Sequence, residues 1–411
     1  MTTHIDDCDV FIAGGGLVGA NLALMLAQLG LRVTMAEAVA PGAAQQPSFD
    51  DRSTALANGS RRIFEALGVW RLMEREATPI KRIHVSDQGR FGFARLDAAE
   101  QRLNALGYVA LNRVMGAALW RRLAEERIAL LCPARVTALS LHDDARLVTV
   151  AVANGAAMQI RARLVVAADG ARSATREQAG VAATNWDYGQ TAIVTNVGTQ
   201  QFHGHVAYER FTEQGPLAML PLTEGRVGVV WTVATAQASE YLRIPDEQFL
   251  QRLQHAFGFR LGRILRLGQR ASYPLELTRS EEHIAQRLAV IGNAAQGLHP
   301  IAGQGFNLGL RDAASLAEVL ADARTADASF DPGDARLLQR YREWRGEDRR
   351  RIVAFTDGLV RVFTQPFAPV RLLRDLGMLM FDINPLAKSA LSQLSLGAAG
   401  RIPRLARGAP L

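Results

Sequence analysis

Cysteine is scarce in this chain of 411 residues, which carries only Cys8 and Cys132. Two such isolated thiols make neither a disulfide framework nor the paired spacing of a metal site, so no metal is expected and a reducing compartment fits. Long apolar runs are missing as well. The longest, Leu17 to Ala27, is broken by Asn21 and falls well short of the ~20 residues that span a bilayer, so it reads as a buried helix. The opening MTTHIDDCDVFIAGGG is acidic where an export or import signal is basic, and the expectation is a cytoplasmic chain without such a signal. No low-complexity tract interrupts a composition of 48% hydrophobic and 21% charged residues, which excludes a disordered protein. At this length two domains, or one with an inserted layer, are expected, with room to enclose a cofactor.

The formal charge of +7 is not spread evenly. Residues 335–411 hold 14 Arg and Lys against 6 Asp and Glu, which leaves the rest of the chain close to neutral. The same stretch carries Phe355, Leu359, Val362, Phe363, Phe367, Leu372, Leu373, Leu376, Leu379, Met380 and Phe381 at near-helical spacing. A basic amphipathic end suits an anionic membrane surface better than a nucleic-acid groove, and no nucleic-acid partner is expected; a solvated face on an ordinary packed helix fits the same pattern.

Glycine is what the chain does have, and it is clustered. Asp9 to Ala13 reads as a short strand and leads into Gly14-Gly15-Gly16-Leu17-Val18-Gly19 and an apolar helix to about Leu29. In this G-x-G-x-x-G order Gly14 permits a tight turn, Gly16 lets backbone approach a pyrophosphate, and Gly19 lets helix and strand pack closely. A second strand, Arg32 to Glu37, ends in an acid placed to accept from a ribose 2'-hydroxyl, and Glu37 would repel a 2'-phosphate, so FAD or NAD is expected rather than NADP. A second cluster, GNAAQGLHPIAGQGFNLGLRD, follows the buried strand pattern Leu288 to Ile291 and runs into a helical pattern from Phe306. There Pro300 stiffens the loop, Gly303 and Gly305 bring amides to a flavin edge, and the helix end favours negative charge on the reduced ring. Two distant cradles point to FAD.

A third element, the strand Leu164 to Ala168 running into Asp169-Gly170-Ala171-Arg172-Ser173, completes a set. With these three motifs in order the chain resembles the class A flavoprotein aromatic hydroxylases of the para-hydroxybenzoate hydroxylase fold. The resemblance implies an α/β protein, α+β overall. Its parts would be a Rossmann-like FAD-binding domain (1–75, 106–184 and 276–360), an inserted substrate-binding β-sheet domain (76–105 and 185–275) and a basic amphipathic helical C-terminus (361–411). Further stretches, Asp50 to Leu56, His84 to Asp87, Glu209 to Thr212 with Gly215 to Pro221, and Thr356 to Leu359, resemble the ubiquinone-biosynthesis branch. The wording GNAAQGLHPIAGQGFNLG is similar to that of hydroxylases acting at position 4 of 2-polyprenyl-6-methoxyphenol, with hydroxylation of another ring position as the alternative.

By the same resemblance, Arg52 and Arg113 are flavin contacts, as are Asp169, Gly170, Gln304 and Asn307. Asn293, where the wider fold family has an acid, would hold a ribityl hydroxyl without adding charge. Both arginines also fit plain surface ion pairs. The implied chemistry is transfer of oxygen from O2 to an electron-rich phenol through a flavin hydroperoxide, with NADPH, NADH or a reductase protein as electron donor and a dry pocket around the ring. A base near the phenol would help, and His299 is the candidate, with Tyr208 and Arg210 behind it. A polyprenyl phenol dissolves in lipid, so peripheral association with the inner face of a membrane through the C-terminus and contact with other ubiquinone-biosynthesis proteins are expected. The competing functions are a reductase on the same fold and a non-catalytic flavoprotein scaffold; five tryptophans without a W-x-W pair disfavour a halogenase.

Overall fold

The computed structural model describes residues 5–43, 50–153, 155–297 and 304–364, with 380, 382, 384 and 400–411; over 351–364 it describes the helical backbone alone. The first strand, Ile5–Ala13, pairs in parallel with Val33–Ala36 on one side and Ala157–Ala167 on the other. Parallel pairing continues outward to Ile128–Leu131 beyond the second strand and to Leu288–Val290 beyond Ala157–Ala167. These strands are apolar on both faces because both are covered. Val10, Ile12, Val33, Met35, Leu164 and Val166 face a core shared with the helices Leu17–Gln28, Asn112–Leu123 and Gln304–Ala326. The alternate residues Phe11, Ala13, Val165 and Ala167 face the antiparallel hairpin Ala134–His142 and Ala145–Val152.

A second sheet is mostly antiparallel. Its strands run in the order Ile264–Leu267, Ala183–Thr199, Arg226–Ala234, Pro216–Pro221, Val206–Phe211, Arg82–Asp87 and Phe93–Asp97, with Ala271–Ser280 also paired to Ala183–Thr199. The alternating segments around Thr191 and Arg226 therefore lie side by side, with Ile193 opposite Trp231. One face packs against the helices Thr235–Arg243 and Asp246–Phe257 through Leu217, Met219, Val229, Trp231, Tyr241 and Phe249. The other face looks toward the parallel-sheet layer. A small third sheet, Ser53–Ala57, Gly107–Leu111 and Thr78–Ile80, lies in that direction and contributes Leu56, Val109 and Ile80 to the large core.

The chain end returns to this core. Leu405 and Ala406 of the short helix Arg404–Arg407 are buried, the Arg404 guanidinium donates to Asp322 at 2.6 Å and its backbone N–H donates to Glu318 at 2.6 Å. Among the described residues no helix is long and apolar enough to cross a membrane.

Candidate active site

All three glycine-bearing motifs leave the parallel sheet at the carboxyl ends of its strands, where open α/β sheets bind ligands. Gly14 follows Ala13, Glu37 follows Ala36, Asp169 follows Ala167 by two, and Gly292 follows Val290 by two. Gly14 adopts φ +100°, and a Cβ on it would lie 2.5 Å from the Ala168 carbonyl oxygen. A Cβ on Gly19 would lie 2.0 Å from the Gly14 carbonyl oxygen. These two glycines therefore hold loop, helix and third strand in contact, whereas Gly16 caps the helix Leu17–Gln28 in an extended conformation with no side-chain cap. The uncapped first-turn amides are the group that a pyrophosphate satisfies.

Glu37 is buried beside this loop and accepts from the Gly15 N–H at 2.7 Å and the Val39 N–H at 2.9 Å. Its position fits a carboxylate shared between the loop and a ribose hydroxyl. Asp169 organises the third motif. It accepts from the Ser173 hydroxyl and from the Thr175 N–H and hydroxyl, at 3.1 and 2.9 Å, while Ser173 caps the helix Ala174–Gln178. Gly170, at φ +87°, has no protein atom within 4 Å of a would-be Cβ. From the same helix the buried Arg176 reaches the Ala294 carbonyl at 2.9 Å and ties this motif to the second glycine cluster.

In that cluster Gly292 lies between two helices: its would-be Cβ is 3.3 Å from Val18, and that of Gly309 is 2.9 Å from the Gly292 Cα. The Gly292 N–H donates to Asp312 at 3.3 Å. Asp312 is fully buried and also accepts from Arg345 at 2.9 Å and from Arg349, both on the helix Ala335–Thr364. Burial opposes its charge, but Arg349 and Arg345 outweigh that cost and hold the carboxyl below the usual range. Nearby His283 is pushed down to about 3 by burial, with Arg349 adding to the effect.

The remaining expected residues divide into three groups. Asn293 is exposed at the edge of the loop and Gly305 has open space at its Cβ position, so both leave room for a bound group. Asn307 is buried and bonds to the Ala57 N–H at 2.9 Å, the Ser60 hydroxyl at 2.7 Å and the Ala55 carbonyl at 2.9 Å, which ties the helix Gln304–Ala326 to the small sheet. His299, Pro300 and Gly303, and the side chain of Gln304, lie outside the described residues, as do the apolar side chains expected from Phe355 to Leu379 and Phe381.

Arg52 and Arg113 are brought together by one short segment. Arg52 pairs with Asp50 at 2.7 Å and stacks on the Tyr273 ring at 4.3 Å. Arg113 pairs with Asp51 at 2.7 Å, and its N–H donates to the Asp50 carbonyl. Tyr273 donates its hydroxyl to Asp50 at 2.8 Å; burial, with the Asp50 carboxylate next, pushes its pKa up to about 12 and keeps it a donor. Asn112 adds a bond to Asp50 at 3.3 Å. Sequence reasoning assigned no role to Asp50, Asn112, Tyr273 or Asp312, although the run Asp50-Asp51-Arg52 and the end of the second glycine cluster pointed at two of them.

Above this cluster stands the second sheet. A Cβ on Gly228 would come within 2.7 Å of the Ser53 hydroxyl, and Tyr273 reaches Asp50 from the same face. The strand Val206–Phe211 was expected to face a substrate with Tyr208 and Arg210. Instead Tyr208 packs its ring on Phe257 on the helix-covered face, and alternation sends Arg210 the same way.

The FAD binding domain family matches residues 7–356. The chain is 40% identical to the ubiquinone hydroxylase UbiL of Rhodospirillum rubrum, over 98% of this chain and 93% of that protein. It is 32% identical to the 3-demethoxyubiquinol 3-hydroxylase of Escherichia coli, over 95% and 98%. Its fold matches the crystal structure of p-nitrophenol 4-monooxygenase PnpA from Pseudomonas putida DLL-E4 with a TM-score of 0.79, at 19% identity and over 97% and 100% of the two chains. The sequence matches span the glycine-lined crevice, the Arg52 segment and the roofing sheet alike, and the chain belongs to the FAD binding domain family and, within it, to the FAD-dependent hydroxylases of ubiquinone biosynthesis.

Proposed function

We propose that this protein hydroxylates the aromatic ring of a polyprenyl phenol, at position 4 of 2-polyprenyl-6-methoxyphenol. The observation that supports the substrate class is the roof over the crevice: Val85, Ala218, Leu220 and Val230 line much of its inner surface with apolar side chains, as a greasy phenol requires. Bound FAD supplies the transfer of one oxygen atom of O2 to the ring, the other leaving as water at the expense of two electrons from NADPH, NADH or a reductase protein. In this reading Gly14, Gly16 and Gly19 offer backbone to the pyrophosphate, Glu37 accepts from the ribose, Asp169 and Asn293 serve the ribityl side, and Arg52, Gly303 and Gly305 border the ring. Residues 1–75, 106–184 and 276–360 act as the cofactor domain, and 76–105 with 185–275 as the substrate domain.

The Escherichia coli relative, a 3-demethoxyubiquinol 3-hydroxylase, favours a second reading, hydroxylation at position 3. Expression in aerobic strains lacking either the position-4 or the position-3 hydroxylase, followed by mass spectrometry of extracted quinones, decides between them. Restored ubiquinone in the first strain alone is expected; restoration in the second alone moves the reaction to position 3, and restoration in neither, with FAD-loaded protein present, removes both positions and leaves another ring position, a reductase or a scaffold. A lipid-soluble substrate also calls for contact with a membrane, and the basic segment beyond residue 360 is the proposed site of it.

A further inference from the structure

The two faces of the roofing sheet differ in charge. On the helix-covered face stand His84, Tyr208 and Arg210, and Arg260 acts on all three. On the face above the crevice the strand Val206–Phe211 places Ala207, Glu209 and Phe211, since alternate residues share a face. Opposite Glu209 in register are Val85 and Ala218, and opposite Ala218 is Val230. This row across four strands is apolar except for one carboxylate.

The row is not sealed against the core. Val85, Glu209, Ala218 and Val230 all retain accessible surface, whereas Ala207 and Gly228 on the same face are buried against the core and against Ser53. Ala218 supplies only a methyl group beside the carboxylate. No hydrogen bond or ion pair of the Glu209 carboxylate is found among the described residues, and burial alone raises its pKa from 4.5 to about 7. On this face the neighbouring strands present Ile83, Val85, Ala218, Leu220, Gly228 and Val230, none of which titrates, and the buried Asp87, which pairs with Phe211 one alternate position along from Glu209. Beyond Asp87 the titratable groups toward the other end of the sheet are Asp50, Arg52 and Tyr273, already paired with one another. A carboxylate largely enclosed by protein, without a side-chain partner and still partly accessible, is poised to accept a proton from a ligand.

We infer that Glu209 is the group that takes the proton of the substrate's phenolic hydroxyl, from a ring held under the Val85, Ala218 and Val230 side chains. The O–H bond of the phenol gives way to an O–H bond on the carboxylate, and the ring is left as the more nucleophilic phenolate. The inference rests on the polyprenyl-phenol reading and adds to it the group that recognises the hydroxyl.

The test uses the FAD-loaded enzyme and 2-prenyl-6-methoxyphenol, a short-tailed probe, with its methyl ether as the counterpart that has no proton to give. Binding is followed by the change in flavin absorbance from pH 5.5 to 8.5, a range in which Tyr273 does not titrate. Wild type should prefer the phenol over the ether increasingly as pH rises through about 7. Glu209→Gln, which keeps the shape, should lose that pH dependence and about tenfold of the preference, and Glu209→Asp should keep the pH dependence with weaker binding. Turnover by Glu209→Gln should fall by about 10². A Gln variant with the wild-type preference and profile overturns the inference and leaves the hydroxylase reading standing. A wild-type enzyme that binds neither probe at any pH overturns both.

Discussion

At the scale of single residues, two glycines of the crevice separate folding from cofactor binding. Gly19→Ala forces a Cβ to within 2.0 Å of the Gly14 carbonyl, so backbone must move. It should cost more than about 2 kcal/mol, read as a lower urea midpoint, together with loss of flavin absorbance. Gly305→Ala meets no protein atom within 4 Å and replaces glycine by the best helix former, so stability should hold or rise by up to about 1 kcal/mol. If Gly305 borders the flavin, FAD affinity nonetheless drops; unchanged affinity would remove Gly305 from the cofactor site. Glu209 gives a third test, on stability against pH. Its carboxyl stays protonated to about 7 in the fold against 4.5 in the unfolded chain, so the native state holds the extra proton between those values. Stability therefore falls as pH rises through that window and the loss is complete above it. Glu209→Gln should match wild type near pH 4.5 and melt higher at pH 8, a difference on the order of 1–3 kcal/mol.

At the scale of elements, the helix Gln304–Ala326 is the strut that joins the cofactor crevice to the rest of the chain. Through Asn307 it holds the small sheet, through Gly309 it packs on Gly292, and through Asp312 it holds both the Gly292 N–H and the helix Ala335–Thr364. Asp312→Ala leaves Arg345 and Arg349 buried without their shared acid and should cost about 3–5 kcal/mol by chemical denaturation. The adjoining His283 resists protonation to about 3 against 6.5 in the unfolded chain. Its contribution is present above 6.5 and is lost as pH falls through that window, so His283→Gln should flatten the decline of the melting temperature in acid.

The glycine cradles and the helix that follows each were legible in the sequence because strand, turn and helix succeed one another within a few residues. The Asp50–Tyr273 bond was not, since it joins positions 223 apart through the register of a second sheet. Nor was Glu209: Val-Ala-Tyr-Glu-Arg-Phe has no clean polar alternation, and only the pairing with Ala218 and Val85 shows which face the acid takes.

At the scale of the whole molecule, the excess positive charge beyond residue 335 divides into two populations. Arg345, Arg349 and Arg404 are committed to Asp312, Asp348, Glu318 and Asp322 and act as cross-links inside the fold. Arg361, Arg371, Arg374 and Lys388 lie in the segment proposed to meet a membrane. Cutting the chain at Arg361 would confuse the two roles, because it also removes Leu405, Ala406 and Arg404 from the core. Changing those four basic residues to Gln keeps the chain end in place and removes only the proposed attraction. Each basic residue near an anionic surface contributes about 1 kcal/mol at moderate salt, so the four changes should weaken binding on the order of 10²-fold or more. The measurement is flotation with vesicles containing phosphatidylserine, at low and at high salt. Wild type should float and be released by salt, since screening shortens the reach of the field. The variant should stay behind at both salt concentrations with its melting temperature and flavin content unchanged. A variant that floats like wild type would show that these charges do not hold the protein to the lipid, and the delivery of a membrane-dissolved phenol would then have to be sought on another face.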